Sequence, residues 1–406
     1  MPYKYRKLLC TSRNKSFILL LISQGISNLG DSFQLVAATT LMVSISGSGM
    51  AAGFALIFSS IPSVILSPFA GILGDKLHAK GMLITIDILR SLAVILFTVT
   101  RNITAIYFLI LILSSFDILY GPARNKIISC ILEKKDMISA ASKQSGIFGA
   151  AFLAGPILAG VTVGLYGVNT AFIINSLSFF LSAAIILFIK ENTAKAKNSK
   201  FKLAVFVKDF VDIFSYCLKM PQITRLLESG FFISFGAASI NAAFYSFAFD
   251  TIGVTGKQWS IILSTLYGTN IIAMFISMLL VKRSKKTSFS YVYILMVAVS
   301  GVWFCYSISK SLLTILLLLL VEGTSMSLIG ILLSGHLLME CKKSFVARVT
   351  AISDLINNSG RLASYILTFV MIGIFKDRTV FLINSIILFV FAAYSLVKKR
   401  ILMISH

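Results

Sequence analysis

Charge is scarce in this sequence, and acidic charge scarcest of all. Of 406 residues only 13% are charged, and 15 Asp and Glu face 37 Lys and Arg. An average soluble domain is about a quarter charged, so a soluble enzyme is excluded. Histidine is limited to His78, His336 and His406, and no His, Cys and carboxylate set has metal-ligand spacing. No metal site is therefore expected. There is no Gly-x-x-x-x-Gly-Lys-Ser/Thr loop to cradle a nucleotide, so ATP does not drive the protein directly and no cofactor is expected.

Hydrocarbon-loving residues fill the space that charge leaves. The chain is 57% hydrophobic, with a mean hydropathy of +0.91. Apolar stretches bounded by turn or charge signals fall near 17–46, 50–74, 82–100, 103–130, 138–165 and 169–190. A second set falls near 222–250, 258–281, 289–308, 311–339, 345–373 and 379–397. At about 1.5 Å per residue each spans a bilayer core of about 30 Å. The sequence thus predicts an all-α membrane protein of twelve transmembrane helices, six in each half.

The formal charge of +22 would suggest nucleic acid in a soluble protein. Its distribution argues for topology instead. With the N-terminus inside, 29 Lys and Arg lie on the inner side and five on the outer: Arg101, Lys257, Lys310, Lys376 and Arg378. Arg90, Lys143 and Arg361 fall within apolar runs. This asymmetry predicts a multi-pass protein of the cell membrane with both termini cytoplasmic. Cys10, Cys130, Cys217 and Cys341 then face the cytoplasm and Cys305 lies in a helix, so no disulfide is expected. The basic segment Met1–Ser16 leads into an apolar run too long for a signal peptide, and it reads as the approach to the first span.

The halves repeat. Thr170, Asn175 and Ser176 recur as Thr379, Asn384 and Ser385, 209 residues on, and Ala141–Gly146 resembles Leu355–Gly360, 214 residues on. The expected organisation is a six-helix bundle over 1–190, a linker over 191–221 and a second bundle over 222–406. In the linker, Leu203, Phe206 or Val207, Phe210, Phe214 and Leu218 are spaced as the apolar stripe of an amphipathic helix on the inner leaflet. Parallel six-helix repeats place a substrate cavity between the halves.

The loop after the second span carries Gly71, Asp75 and Lys80 at the positions of the pattern Gly-x-x-x-Asp-x-x-Gly-Arg-Lys, with His78 in place of Gly and Ala79 in place of Arg. The fifth span carries Gly149, Gly155, Pro156 and Gly160, which looks like the antiporter motif with Ala159 replacing a Gly. On these residues the chain resembles the major facilitator superfamily. Asp31, the pair Asp87 and Arg90, and Gly121–Arg124 look most like its macrolide-efflux and siderophore-exporter group. The resemblance implies the major facilitator fold and a conformational latch formed by Gly71, Asp75, Lys80, Asp87, Arg90 and Arg124. It also implies a bias toward export, although the fourth span lacks the mid-membrane Arg of the proton-antiporter motif. Read without the family, Pro156 removes a backbone donor and can kink its helix, while the glycines let neighbouring helices approach.

An ionised carboxylate in hydrocarbon is costly, so intramembrane acids are the candidate functional groups. Gln24, Asn28 and Asp31 share one face of the first span, Asp117 lies in the fourth and Glu322 near the middle of the tenth. The seventh adds Asn241 and Tyr245 at i, i+4. These residues are expected to line a substrate and proton pathway. The competing reading of each acid is a hydrogen bond that holds packing. Asp87 with Arg90, and Asp354 with Arg361, read as local ion pairs along single helices. Asn102 and Thr104 formally match a glycosylation acceptor but read as chance.

The expected protein is a secondary transporter, not an enzyme. Proton-coupled export of an amphipathic organic compound by alternating access is the leading reading. An importer, a uniporter or a lysophospholipid-type flippase on the same fold is the alternative. Its partners are a small-molecule substrate, protons and the lipid bilayer, without nucleic acid, and it is expected to act as a monomer.

Overall fold

The structure, a computed structural model, describes residues 3–76, 78–132, 137–189, 213–283, 289–341 and 346–404. Twelve long helices account for nearly all of them. In chain order they are α1 Tyr3–Ser46, α2 Gly49–Lys76, α3 Ala79–Val99, α4 Ile103–Ile131, α5 Met137–Tyr166 and α6 Val168–Leu187. Then come α7 Pro221–Ser246, α8 Gly256–Arg283, α9 Ser290–Ile308, α10 Leu312–Glu340, α11 Val346–Ile374 and α12 Asp377–Ile404. No strand occurs among the described residues. Nine of the helices, among the described residues, are long and apolar enough by composition to cross a membrane. With no water in hydrocarbon, a helix is the one open-chain form that satisfies its own backbone there.

Helix ends coincide with local chemistry. Asn102 caps α4, its side-chain oxygen accepting from the Thr104 and Ala105 amides at 2.8 and 3.4 Å, which is the structural use of the formal glycosylation match. Ser311 caps α10 in the same way, accepting from the Thr314 amide at 3.4 Å. His78, which departs from the glycine of the family pattern, caps α3 by accepting from the Gly81 amide at 3.2 Å. Gly47 and Gly167 make the short α1–α2 and α5–α6 turns with φ of +73° and +82°, a region that side chains resist. Beyond α7 a π-helical turn, Phe247–Ile252, carries Asp250. That carboxylate accepts from the Gly49 amide at 2.7 Å and the Ser48 hydroxyl at 2.8 Å, so it caps α2 from a distant part of the chain.

The chain forms two compact units. Among the described residues, the first comprises α1, α2 from Phe58, α3 to α6 and the segment Thr255–Ser264. Here α6 packs on α1, α3 and α5, and α4 packs on α3 and α1. The second comprises Ser48–Ile57, α7, α8 from Thr265 and α9 to α12. Here α12 packs on α9 and α7, α11 packs on α7, and α10 packs on α9.

The two packing schemes correspond residue by residue. α4 and α10 start 209 residues apart, as do α5 and α11, and α6 and α12. Ser91 and Ser176 join α3 to α6 through hydroxyl and carbonyl oxygens at 2.9 Å. At the equivalent place, Ser385 donates to the Ser300 carbonyl at 2.7 Å. Phe97 stacks on Phe172 at 5.0 Å in one unit, and Tyr306 meets Phe381 at 5.8 Å in the other. A single offset of 209 relates all of these, so the resemblance of Ala141–Gly146 to Leu355–Gly360 at 214 lies out of register. Short polar runs between apolar helices match by composition without being structurally equivalent.

The exterior is apolar. Val99, Leu165, Phe188 and Ile374 are each at least 70% exposed, which suits a surface bathed in lipid. The amphipathic stripe expected in the linker lies largely at 190–212, outside the described residues. Over 213–219 the chain is helical, but Ile213 and Cys217 are the buried residues there, packed with Ile223, Leu227 and Ile352. Phe214 and Leu218, the expected stripe, are exposed. Phe214 and Leu218 therefore lie on a second apolar face, rotated away from the one that packs.

Glycine has its effect in the fifth helix at specific contacts. A methyl group on Gly155 would meet Ser32 of α1 at 2.5 Å, and one on Gly160 would strike Ser260, whereas Gly149 and Gly164 have nothing within 4 Å. Despite Pro156, α5 runs on as one helix. Gly155→Ala is expected to lower stability by about 1–3 kcal/mol through overpacking. Gly164→Ala is expected to be neutral or to raise it by up to about 1 kcal/mol through helix propensity. Thermal unfolding of the two purified variants in one detergent compares them.

Candidate functional site

Asp31 is positioned by its neighbours on α1. Gly30 lies so close to Ser178 and Asn175 of α6 that a side chain there would collide with both. One turn on, Gln34 accepts from the Asn175 side-chain amide at 2.6 Å. Ser32 faces Gly155 of α5. With residues 30 and 34 held against α6 and 32 against α5, the helical rotation of about 100° per residue leaves Asp31 pointing elsewhere. It is half-buried, within electrostatic reach of Asp117, Arg90 and Asp87.

Arg90 is the hub of that group. Its guanidinium bonds to the Asp117 carboxylate of α4 and stands 3.9 Å from Asp87, one turn back on α3. It lies over the ring of Tyr120 at 4.7 Å and near that of Phe179 at 5.4 Å, a cation–π clamp from α4 and α6. Asp87 in turn accepts from the Ser182 hydroxyl of α6 at 2.6 Å. The side chains of Asp87 and Arg90 are 0% and 5% exposed, whereas that of Asp117 is 60% exposed. The group therefore runs from the interior of the first unit to an exposed edge. The local Asp87–Arg90 pair expected from spacing is the longer and weaker contact, because the α3 rotamer carries the guanidinium across to α4.

The other first-unit candidates have structural partners. Gln24 is buried and accepts from the Gln144 side-chain amide at 2.8 Å, tying α1 to α5. Asn28 is half-buried on the same face. Lys80 donates to the Leu187 and Ile189 carbonyls at 2.7 and 2.9 Å. It thereby satisfies the C-terminal end of α6, where a cation also complements the helix dipole. Arg124 is half-buried, and its Nε has no hydrogen-bond partner. Gly71 and Asp75 lie in the last turns of α2, and the side chains of that stretch lie outside the described ones.

In the second unit Glu322 is buried and occupied on both oxygens. Trp303 Nε1 donates to Oε1 at 2.6 Å, and the Tyr306 hydroxyl donates to Oε2 at 2.7 Å. Both donors come from α9 and are fully buried, and Trp303 sits directly against Gly236 of α7. This geometry favours the packing reading of Glu322. Asn241 and Tyr245 do not share an environment, the first being exposed and the second buried. Asp354 makes no ion pair with Arg361 among the described residues. It lines a cavity with Asn357 of α11. Thr350, Ser353, Asp354 and Asn357 fall at 0, 3, 4 and 7 along α11, a one-faced polar stripe visible in the sequence.

No group of three or more His, Cys, Asp and Glu able to hold a metal occurs among the described residues. The described cysteines, Cys130, Cys217, Cys305 and Cys341, are free.

Known proteins place this architecture. Residues 20–375 match the family described as Major Facilitator Superfamily. The chain is 29% identical over 193 residues to the uncharacterized MFS-type transporter YfiS of Bacillus subtilis, covering 46% of each chain. It is 29% identical over 191 residues to the multi-drug resistance efflux pump PmrA of Streptococcus pneumoniae, covering 47% of this chain and 46% of that one. The chain thus spans about half the length of the curated relatives it matches. The solved nucleoside transporter NupG superposes with a TM-score of 0.75 at 15% identity, over 93% of this chain and 98% of that one. At that identity the likeness concerns the fold alone.

Glu322→Gln leaves one of the two α9 donors facing an amide N–H group. The expected cost is about 1–3 kcal/mol, read as a lower unfolding midpoint. Adding Tyr306→Phe removes a donor, so the double substitution should cost less than the sum of the two single ones.

Proposed function

For a chain that belongs to the Major Facilitator Superfamily, we propose proton-coupled export of an amphipathic organic compound by alternating access. Membrane transport of small molecules comes with the family, and proton coupling and direction are the proposed part. The observation that carries it is a mismatch of charge: one guanidinium, Arg90, among three carboxylates, Asp31, Asp87 and Asp117. In a medium of low dielectric the excess negative charge has to be met by protons, by a cationic substrate or by water.

Arg90 is the natural switch. It bonds to the exposed Asp117 and stands within reach of the buried Asp87. A proton on one carboxylate frees the guanidinium to favour another, so loading and releasing a proton changes which helices it holds together. Asp31, on α1, is the acid of the three with neither a hydrogen bond nor an ion pair to the guanidinium, and it is the proposed exchanging group. The driving force is adequate, since one charge crossing 100 mV releases about 2.3 kcal/mol. The excess of Lys and Arg in alternate loops supports a cell-membrane orientation with both termini cytoplasmic. The resemblance to an efflux pump supports export, and a single chain containing both units supports a monomer.

Inverted membrane vesicles test the reading. With an imposed pH gradient, accumulation of a panel of lipophilic dyes and macrolides should collapse with a protonophore. It should fall to background in Asp31→Asn at equal expression. Full gradient-driven accumulation in Asp31→Asn would overturn the role of Asp31, and movement insensitive to the protonophore would overturn proton coupling.

A further inference from the structure

At one end of the second unit, α7, α9, α10 and α12 line a cavity of about 360 Å³. Its base is aromatic. Phe232 of α7 stacks on Phe391 of α12 at 4.1 Å, and the buried Tyr293 of α9 lies 6.4 Å from the same ring. Its rim is charged, with Arg225 and Glu228 from α7, Glu340 from α10 and Lys398 from α12. All four are exposed, and none makes an ion pair among the described residues. Arg225 and Glu228 stand three apart on one helix, a spacing at which opposite charges commonly meet, yet the fold keeps them apart. Two cations and two carboxylates therefore face one cavity, and each remains available to a ligand.

Position narrows what that ligand is. Lys398 closes the apolar stretch Asp377–Lys398, Arg225 and Glu228 lie near the start of Pro221–Ile252, and Glu340 follows the end of Leu312–Leu337. The charged rim thus sits where the spans leave hydrocarbon, at the level of lipid headgroups. Tyr394 lines the cavity and is also 63% exposed. It continues along one face of α12 as Val390 and Ile387, which are 58% and 44% exposed. An apolar strip leading out of a charged cavity suits an amphiphile lying alongside the helix better than a soluble ion.

We propose that this cavity holds the headgroup of a zwitterionic phospholipid that carries a primary ammonium. Arg225 and Lys398 meet its phosphate, Glu228 and Glu340 accept from its ammonium, and an acyl chain follows Tyr394, Val390 and Ile387 toward the middle of the bilayer. A quaternary ammonium has no N–H to donate, so a choline lipid satisfies the two cations and leaves the carboxylates without hydrogen bonds. The site therefore discriminates by the amine and not by the phosphate.

Native mass spectrometry of the full chain released from detergent micelles, titrated with dioleoyl phosphatidylethanolamine or dioleoyl phosphatidylcholine, tests this. Wild type should bind the ethanolamine lipid about tenfold more tightly, the scale of one or two hydrogen bonds to charged groups. Glu228→Gln with Glu340→Gln should bring the two lipids to equal affinity. Arg225→Gln with Lys398→Gln should weaken both lipids and keep the preference. All four residues are exposed, so the variants should keep the wild-type unfolding midpoint, and Lys376→Gln, at the other end of the unit, should keep the wild-type lipid profile. Equal affinities in wild type, or a preference that survives the double Glu→Gln substitution, would overturn the proposal. Displacement of the bound lipid by an equimolar amount of soluble glycerophosphoethanolamine would overturn the assignment to a lipid. The measurement involves no transport, so it is independent of the role given to Asp31.

Discussion

Hydrocarbon offers a polar group nothing to bond to, and every polar feature of this chain answers to that constraint. The backbone meets it by being helical almost throughout. Side chains meet it by pairing across helices, as Asn175 does with Gln34 and Ser385 with Ser300. Where two helices must lie close enough for such pairs, glycine makes the room, as Gly30 does beneath Ser178 and Gly155 beside Ser32. Packing and polar satisfaction are therefore one problem here. The residues that seat α1 on α5 and α6 are also the ones that aim Asp31.

The two units share a frame and divide its polar content. α3, α4, α5 and α6 recur as α9, α10, α11 and α12, with the serine and aromatic contacts of α3 on α6 repeated at an offset of 209. At that offset Asp87, Arg90 and Asp117 correspond to Met296, Val299 and Met326, and Glu322 corresponds to Leu113. The ionic network of the first unit has apolar residues in its place in the second. There the buried acid is locked by α9, and an accessible one stands in a cavity wall on α11. The two units thus share a scaffold but not their charged sites.

Much of the frame was legible in the sequence, because membrane helices announce themselves by length and by polar punctuation. The fourth span read as 103–130 is a helix over Ile103–Ile131, and the tenth read as 311–339 is one over Leu312–Glu340. Contacts between helices were less legible, since they depend on rotation about each axis and on rotamers. Arg90 looked paired with Asp87, one turn away, and its closest acid is Asp117, 27 positions along the chain. Glu322 looked like a pathway acid, and nothing local revealed that Trp303 and Tyr306 point at it. Asp354 was legible in principle, through the polar stripe around it, but the nearby Arg361 offered a simpler partner that the fold does not use.

Trp303 has a consequence of a different kind. The chain contains only two tryptophans. Trp259 lies in the Thr255–Ser264 segment of the first unit, and Trp303 lies in the second. Both indoles are buried, and that of Trp303 is hydrogen-bonded to a carboxylate. Indole emission responds to local polarity and to nearby charge, so each unit carries one native optical label. Removing either tryptophan leaves a reporter for a single unit, and motions of the two units become separately visible without attaching a dye.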